Sequence, residues 1–292
     1  MSQQFTGAGV ALITPFTKND EVDFDALDRV IENQVNGGMD YLVALGTTAE
    51  TPTLTSEEKK EVVKHVKNNS GRLPVVVGLG GNDTRKMVHE IESFDFDGVG
   101  GILVVTPFYN KPSQEGMIKH YTAIAKASPV PIILYNVPTR TGVNIEAETV
   151  AKLAWENDNI VAIKEASGVL SQITKIGKYT PDHFTVISGD DVLALPIISI
   201  GGKGIISVIA NALPGKLSNL IHFALDGRYN EAREIHFELI ELFKLLFKEG
   251  NPGGVKALMH FMGIIENELR SPLCPNSAET YNEIKEAYLK LK

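Results

Sequence analysis

Eight short runs of apolar residues recur along this 292-residue chain, and they constrain its fold more than any other feature. Each run is nearly continuous in apolar, mostly β-branched residues, which is typical of parallel strands that are covered on both faces. Segments with helical periodicity lie between most of the runs. One of them, residues 55–69, has Thr55 at a capping position, acidic residues in its first turn and three valines on one face. The apolar runs span residues 9–14, 41–45, 74–78, 101–106, 131–135, 160–164, 184–188 and 204–208.

This alternation of strands and helices predicts an α/β fold of the (β/α)8 TIM barrel type. A doubly wound sheet is the alternative, but the glycine-rich run at residues 78–83 lacks the third glycine of GxGxxG and has Asp83 where a pyrophosphate would bind. After residue 213 the pattern is purely helical. We therefore expect a catalytic barrel over residues 1–224 and a C-terminal helical domain over residues 225–292. The C-terminal helical segments span residues 214–225, 229–248, 255–267 and 278–291.

The composition argues against several classes of function. With 36 acidic and 28 basic residues the chain has a net charge of −8, so it is a poor candidate for binding nucleic acid. Cys274 is the one cysteine, which excludes an internal disulfide and a cysteine-rich zinc site. The seven histidines have no metal-ligand spacing, so we expect no metal and no cofactor. The sequence has neither a signal-peptide pattern nor an apolar run that would span a bilayer, and we expect a cytoplasmic protein without a membrane partner.

In barrels of this kind the reactive groups lie at the carboxyl ends of the strands and in the loops that follow. Lys164 ends one predicted strand, where a dry barrel mouth disfavours its charged form. An uncharged amine can attack a carbonyl to form a Schiff base. The alternative is a lysine that forms an ion pair with Glu165 or another acid at the rim. Tyr135 ends the preceding strand, about 5 Å away, and its phenol could transfer protons.

A turn with two adjacent threonines follows another predicted strand, at Gly46-Thr47-Thr48. Its hydroxyls and free backbone N–H groups would suit a carboxylate or an oxyanion. Each threonine taken alone is more typical of a turn residue that bonds its own backbone. The lysine, the tyrosine and this turn, at three strand ends together, favour a catalytic site.

Three segments carry a family resemblance: Gly46–Glu50, with the sequence GTTAE; Tyr135–Gly142, YNVPTRTG; and Ile163–Gly168, IKEASG. With these motifs in this order, the chain resembles the pyruvate-dependent class I aldolases, the family of dihydrodipicolinate synthase and N-acetylneuraminate lyase. The resemblance extends from about residue 5 to the C-terminus. It implies a (β/α)8 barrel with a C-terminal helical domain, which agrees with the strand pattern.

The resemblance also implies a mechanism. Lys164 would condense with the ketone of pyruvate and give an enamine, while Tyr135 would move protons through Thr47. Thr48 and the adjacent backbone N–H groups would hold the carboxylate of pyruvate. Arg140 would bind the carboxylate of L-aspartate 4-semialdehyde, because a guanidinium group matches a carboxylate bidentately. The implied reaction joins these two substrates on the route to diaminopimelate and lysine.

Three further residues take roles only from the resemblance. Gly189 and Ile206 fall where the family shapes the pocket around the bound adduct. Tyr109 would complete the site of a neighbouring subunit and so implies a homo-oligomer, a tetramer built as a dimer of dimers. From its exposed loop alone, Tyr109 would be interpreted as an ordinary surface residue.

The chain departs from the family pattern in two places. Ala49 replaces the usual glycine after the two threonines, and an alanine there costs roughly 1 kcal/mol if the backbone needs a positive φ. We expect the turn to tolerate it, since Glu50 follows as usual. In lysine-inhibited relatives, three polar residues of an inter-subunit cleft bind L-lysine. The chain has Phe108, Ser56 and Lys86 there, although Asn82 is retained. Because Lys86 would repel the ammonium group of L-lysine, we expect weak or no inhibition.

Two other functions compete with this interpretation. The same Schiff-base chemistry could cleave a sialic or 2-keto-3-deoxy sugar acid, but Arg140 disfavours that reading because the aldehyde partner would then be a neutral polyol. A catalytically silent, ligand-binding paralogue is the alternative from another class. A silent barrel has no physical need for Lys164, Tyr135, Thr47 and Tyr109 together.

Overall fold

A computed structural model describes residues 5–291 of the chain. Eight strands form a closed barrel in chain order, and every neighbouring pair is parallel. Each of the eight predicted runs overlaps one strand, so the predicted barrel is confirmed. The strands are β1 (Gly7–Ala11), β2 (Tyr41–Ala44), β3 (Val75–Leu79), β4 (Gly101–Val105), β5 (Ile132–Asn136), β6 (Ile160–Glu165), β7 (Thr185–Ser188) and β8 (Gly204–Ser207).

Helices surround the barrel and continue beyond it at the C-terminus. Short 3₁₀ turns follow β2, at Thr47–Ala49 and Thr51–Thr53, and β8, at Ile209–Asn211. The helices are α1 (Phe24–Asn36), α2 (Ser56–Asn69), α3 (Thr84–Ser93), α4 (Gln114–Ala127), α5 (Pro138–Thr141), α6 (Ala147–Glu156), α7 (Leu170–Tyr179), α8 (Ala194–Ser199), α9 (Pro214–Leu225), α10 (Tyr229–Leu245), α11 (Gly253–Phe261) and α12 (Ala278–Leu289).

Local sequence signals set the starts of several helices. The Thr55 hydroxyl accepts a hydrogen bond from the Glu58 backbone N–H (3.2 Å), and the Glu58 carboxylate accepts one from the Thr55 N–H (2.8 Å). This reciprocal capping box satisfies two backbone donors that would otherwise lack partners. The side chains of Asp83 and Ser113 cap α3 and α4 in the same position.

Side chains, not solvent, fill the barrel interior. An apolar cluster that includes Val43, Val76, Ile133 and Ile187 occupies it, separate from the larger core between the strands and the helices. The ring of Tyr41 crosses the interior, and its hydroxyl donates to the carbonyl of Ile205 (3.1 Å). A Cβ on Gly9 would lie 2.3 Å from that ring, so only glycine leaves room for it.

The C-terminal helices form the layer that the pattern predicts, but three of them are shorter than expected, α12 by only two residues. Helix α10 packs on α9 and α12, and α11 packs on α12. Helix α10 ends at Leu245 instead of Lys248, and α11 ends at Phe261 instead of Asn267, just before Gly263 with its φ of +76°. The division at residue 224 stays a prediction. Within residues 5–291, no helix combines the length and the apolar character needed to cross a membrane.

Candidate active site

The strand register brings the two central residues of the predicted site together. Tyr135 on β5 pairs with Lys164 on β6, and the lysine Nζ lies 4.4 Å from the centroid of the tyrosine ring. Both side chains are almost fully buried, at 6% and 5% exposure. The amine and the phenol therefore face one small space at the carboxyl end of the barrel.

Lys164 does not pair with the acid that follows it. The neighbouring Glu165 carboxylate accepts hydrogen bonds from Asn136, the Ser167 backbone and Gln172 instead. In the part of the chain that the structure describes, Lys164 forms no ion pair at all. A buried amine without a counter-ion is suited to act as a nucleophile, because no neighbouring carboxylate engages it.

A cavity of about 660 Å³ opens above Lys164, and both the barrel and the C-terminal helices line it. On the barrel side, Tyr135, Lys164 and the loop residue Arg140, which is exposed, contribute to the wall. On the other side, residues of α10 and of the loop after it cover the mouth. These C-terminal residues include Ile240, Glu241, Phe243, Lys244, Phe247 and Asn251.

The two threonines also line this cavity, in the 3₁₀ turn Thr47–Ala49. Thr48 is 2% exposed, and its hydroxyl oxygen accepts a hydrogen bond from the Asn251 side chain (3.0 Å). Because this bond occupies an acceptor position, the Thr48 hydroxyl proton is free to point at an anion. Asn251 was missed from the sequence, although its Asn-Pro dipeptide between two helical segments marks a turn.

The turn accommodates Ala49 without strain, as expected. The positive φ angles of this turn are at Leu45 (+54°) and Glu50 (+55°), and Ala49 has an ordinary backbone conformation. Glu50 is held in place because its carboxylate contacts the ammonium of Lys256 and accepts from the Arg270 backbone N–H (3.0 Å). Lys256 has no exposed surface, and burial lowers its pKa to about 8.

Gly189 and Ile206 have different relations to the cavity. Gly189 lines it, and a Cβ there would lie 2.7 Å from the Ala166 Cβ and 3.2 Å from the Lys164 Cε. The absence of a side chain therefore leaves room for the lysine. Ile206 is fully buried in the interior cluster with Tyr135 and is not among the residues that line the cavity.

Tyr109 lies apart from the cavity within its own chain. Its side chain is 84% exposed, and its backbone has a φ of +70°, which an aromatic residue rarely adopts. Phe108 beside it is 39% exposed, and the Asn82 side chain donates to the Phe108 carbonyl (3.1 Å). The expectation that L-lysine inhibits weakly stays a prediction.

Two adjacent aspartates follow β7. Asp190 lines the cavity, and burial raises its pKa. Asp191 is 2% exposed and accepts hydrogen bonds from the Ser207 hydroxyl (2.5 Å) and from the backbone N–H groups of Val208 and Ile209. Burial nevertheless raises the pKa of Asp191 to about 6. Through these hydrogen bonds, Asp191 connects the loop after β7 to the turn after β8. Among residues 5–291, no cluster of three or more His, Cys, Asp or Glu side chains could hold a metal.

A closed eight-stranded barrel with a buried, unpaired lysine beside a tyrosine at its carboxyl end defines an enzyme of the class I, Schiff-base aldolase type. The chain belongs to the dihydrodipicolinate synthetase family, whose model matches residues 4–291. It is 52% identical over 286 residues to 4-hydroxy-tetrahydrodipicolinate synthase of Parabacteroides distasonis, with 98% of this chain and 96% of the relative covered. The crystal structure of dihydrodipicolinate synthase from Aquifex aeolicus is similar with a TM-score of 0.94, at 44% identity and 98% of each chain. That of Thermotoga maritima is similar with a TM-score of 0.95, at 39% identity and 99% of each chain.

Proposed function

We propose that this chain is a 4-hydroxy-tetrahydrodipicolinate synthase, which condenses pyruvate with L-aspartate 4-semialdehyde on the route to diaminopimelate and lysine. Family membership over nearly the whole chain and relatives of that name support the proposal. The observation that carries it is the buried Lys164 amine, which has no counter-ion and faces Tyr135 across 4.4 Å. No resident cofactor is needed, because the lysine itself forms the Schiff base.

The reaction begins at Lys164. Its amine adds to the ketone carbon of pyruvate, water leaves, and an imine forms. Loss of a proton from the pyruvate methyl group gives the enamine, whose carbon attacks the aldehyde carbon of the semialdehyde and forms the new carbon–carbon bond. The amino group of the second substrate then displaces Lys164 from the imine carbon, which closes the ring and frees the enzyme. One water is released overall.

Four hydroxyl-bearing residues, one of them from a neighbouring subunit, assist these steps. Tyr135 moves protons to and from the adduct, because its phenol lies next to the amine that forms it. Thr47 connects Tyr135 to Tyr109 of a neighbouring subunit. The Thr48 hydroxyl donates a hydrogen bond to the carboxylate of pyruvate, which is consistent with its acceptance of a hydrogen bond from Asn251.

The second substrate enters on the side of the α5 loop. Arg140 lies at the cavity wall with an exposed guanidinium group and binds the carboxylate of the semialdehyde. Gly189 and Ile206 shape the pocket, the first by leaving space beside Lys164 and the second by filling the barrel interior. This arginine favours an aldehyde partner that carries an anionic group over a neutral polyol.

We also propose that the enzyme is a cytoplasmic homo-oligomer, a tetramer built as a dimer of dimers. The support is Tyr109, a large aromatic side chain that is 84% exposed, is held at a positive φ and lies outside the lining of the cavity described above. Burial against a second copy would remove this apolar surface from water and bring the phenol to the partner's site.

The test is NADPH consumption by the purified protein with pyruvate, the semialdehyde and excess dihydrodipicolinate reductase. We expect turnover that depends on both substrates and is abolished by Lys164→Ala. Borohydride with pyruvate alone should add one pyruvate-derived mass to the wild type and none to the variant. Arg140→Ala should mainly raise KM for the semialdehyde. Trapping of pyruvate without turnover would overturn the choice of second substrate and point to a sugar-acid aldolase, and turnover by Lys164→Ala at the wild-type rate would overturn the Schiff base.

A further inference from the structure

A buried carboxylate lies immediately behind the two central residues of the site. Asn136 and Glu165 follow Tyr135 and Lys164 on β5 and β6, and the register pairs them in turn. Because successive side chains of a strand point to opposite faces, Asn136 and Glu165 lie on the outer face of the barrel, away from the cavity. Their exposures are 0% and 1%.

Glu165 is satisfied by neutral donors alone. Its carboxylate accepts from the Asn136 amide (3.0 and 3.2 Å), the Ser167 backbone N–H (2.7 Å) and the Gln172 amide (3.0 Å). No ion pair involves it within residues 5–291. Burial of a charge without a counter-ion is costly, and here the cost is offset only by a full set of hydrogen bonds. A contribution to the stability of the fold is therefore a poor explanation for a glutamate at this position.

The same network orders both loops that follow these strands. The side-chain NH₂ of Asn136 also donates to the Asn144 side chain (2.8 Å), and the side-chain oxygen of Asn136 accepts from the Ile145 backbone N–H (3.2 Å). Asn144 in turn donates to Gln172 (2.7 Å). One end of the network therefore fixes the segment that contains Arg140. The other end fixes residues 166–168, which line the cavity.

We propose that Glu165 and Asn136 are positioning residues for the Schiff-base reaction, an inference that rests on the proposed function. The acceptor-only carboxylate at the end of β6 draws donors from the end of β5, the loop after β6 and helix α7 to one point. It thereby sets the distance between Lys164 and Tyr135 and orders the loop of Arg140. A glutamine at position 165 would present an NH₂ group to donors that need acceptors, so the network would separate at that point although the shape is conserved.

The test compares the wild type with Glu165→Gln and with Asn159→Asp as a matched control. Asn159 precedes β6 at the opposite end of the barrel and donates to the carbonyls of Ala125 (2.8 Å) and Ser128 (3.3 Å). Glu165→Gln places a donor against donors, and Asn159→Asp places an acceptor against acceptors, so both mismatch a hydrogen-bond network, but the second lies far from the site. The measurements are the thermal midpoint, kcat and KM in the coupled assay, the rate of borohydride trapping with pyruvate, and the pH profile of kcat.

We expect both variants to lose thermal stability. Only Glu165→Gln should lower kcat and the trapping rate by at least about tenfold, since small displacements of reacting groups cost up to about a hundredfold. It should also raise KM for the semialdehyde and shift the pH profile. Rescue by the exchanged pair Asn136→Asp with Glu165→Gln, which restores one acceptor opposite one donor, would support the inference even if the single variant folds poorly.

Kinetic constants, trapping rate and pH profile of Glu165→Gln within twofold of those of Asn159→Asp would overturn the inference, because the network would then be only structural. If the wild type traps pyruvate but does not turn over the semialdehyde, the proposed second substrate is wrong, and the trapping rates still decide the role of Glu165. If the wild type traps no pyruvate, the proposed function and this inference are both wrong.

Discussion

A buried ion pair between Lys256 and Glu50 lies next to the threonine turn. Its removal is the most direct test of how this site is stabilised. The Lys256 ammonium contacts Glu50, donates to the Glu268 carbonyl (2.9 Å) and lies 4.3 Å from the centroid of the Phe16 ring. Both charged side chains have 0% exposure. Lys256→Met keeps most of the apolar stem and removes the charge, so the Glu50 carboxylate would retain only the Arg270 N–H as a donor.

The expected cost follows from this geometry. Removal of one partner of a fully buried pair costs about 3–5 kcal/mol, because the remaining charge stays desolvated without compensation. That is a large part of the roughly 5–15 kcal/mol by which a typical folded protein is stable. The effect on activity should follow, since Glu50 directly continues the turn that contains Thr47 and Thr48. We expect Lys256→Met to raise KM for pyruvate.

Urea unfolding at a fixed protein concentration and pH 7.5 measures the loss. The matched control is Lys216→Met, because Lys216 forms a half-exposed pair with Glu238 (2.6 Å) and should lose no more than about 1 kcal/mol. The double variant Glu50→Gln with Lys256→Met removes both charges and should be more stable than Lys256→Met alone. A loss below 1 kcal/mol for Lys256→Met, or no coupling between the two positions, would refute this reasoning.

Two further predictions follow from the strand ends. Gly189→Ala would bring a Cβ within 2.7 Å of Ala166 and 3.2 Å of Lys164, so we expect borohydride trapping of pyruvate to fall at least about tenfold, and trapping at the wild-type rate would contradict this. For Asp191 the folded pKa of about 6 lies above its ordinary value of 3.8, so the protonated form stabilises the fold below about pH 4, and that contribution is lost as the pH rises through 6. Asp191→Asn stays neutral at every pH. The unfolding free energy of this variant minus that of the wild type should therefore increase by up to roughly 3 kcal/mol between pH 4 and pH 8. A difference that is independent of pH in urea titrations would show the aspartate to be uncharged or exposed.

The strands and the helix starts could be predicted from the sequence because their causes are local. A continuous β-branched run favours a strand wherever it occurs, and the capping box of Thr55 and Glu58 needs only residues three positions apart. The pairing of Tyr135 with Lys164 was also predictable, since consecutive strands of such a barrel lie side by side.

Contacts between distant segments were not predictable in this way. Asn251 reaches Thr48 and Lys256 reaches Glu50 across about two hundred residues. Nothing in the pattern around Lys256 distinguishes a buried lysine from one on a solvated helix face. The sequence also did not show that Glu50, which contacts Lys256, has a positive φ in this turn.

The sequence alone determined the barrel, its order of strands and the proximity of Lys164 to Tyr135, because periodicity and strand-end position depend on neighbours along the chain. Only the tertiary structure decided the rest of the site: the cover that α10 provides over the cavity, the unpaired state of Lys164 and the carboxylate of Glu165 behind it. These features depend on which groups share one desolvated space, and burial and hydrogen-bond partners are properties of the folded chain as a whole.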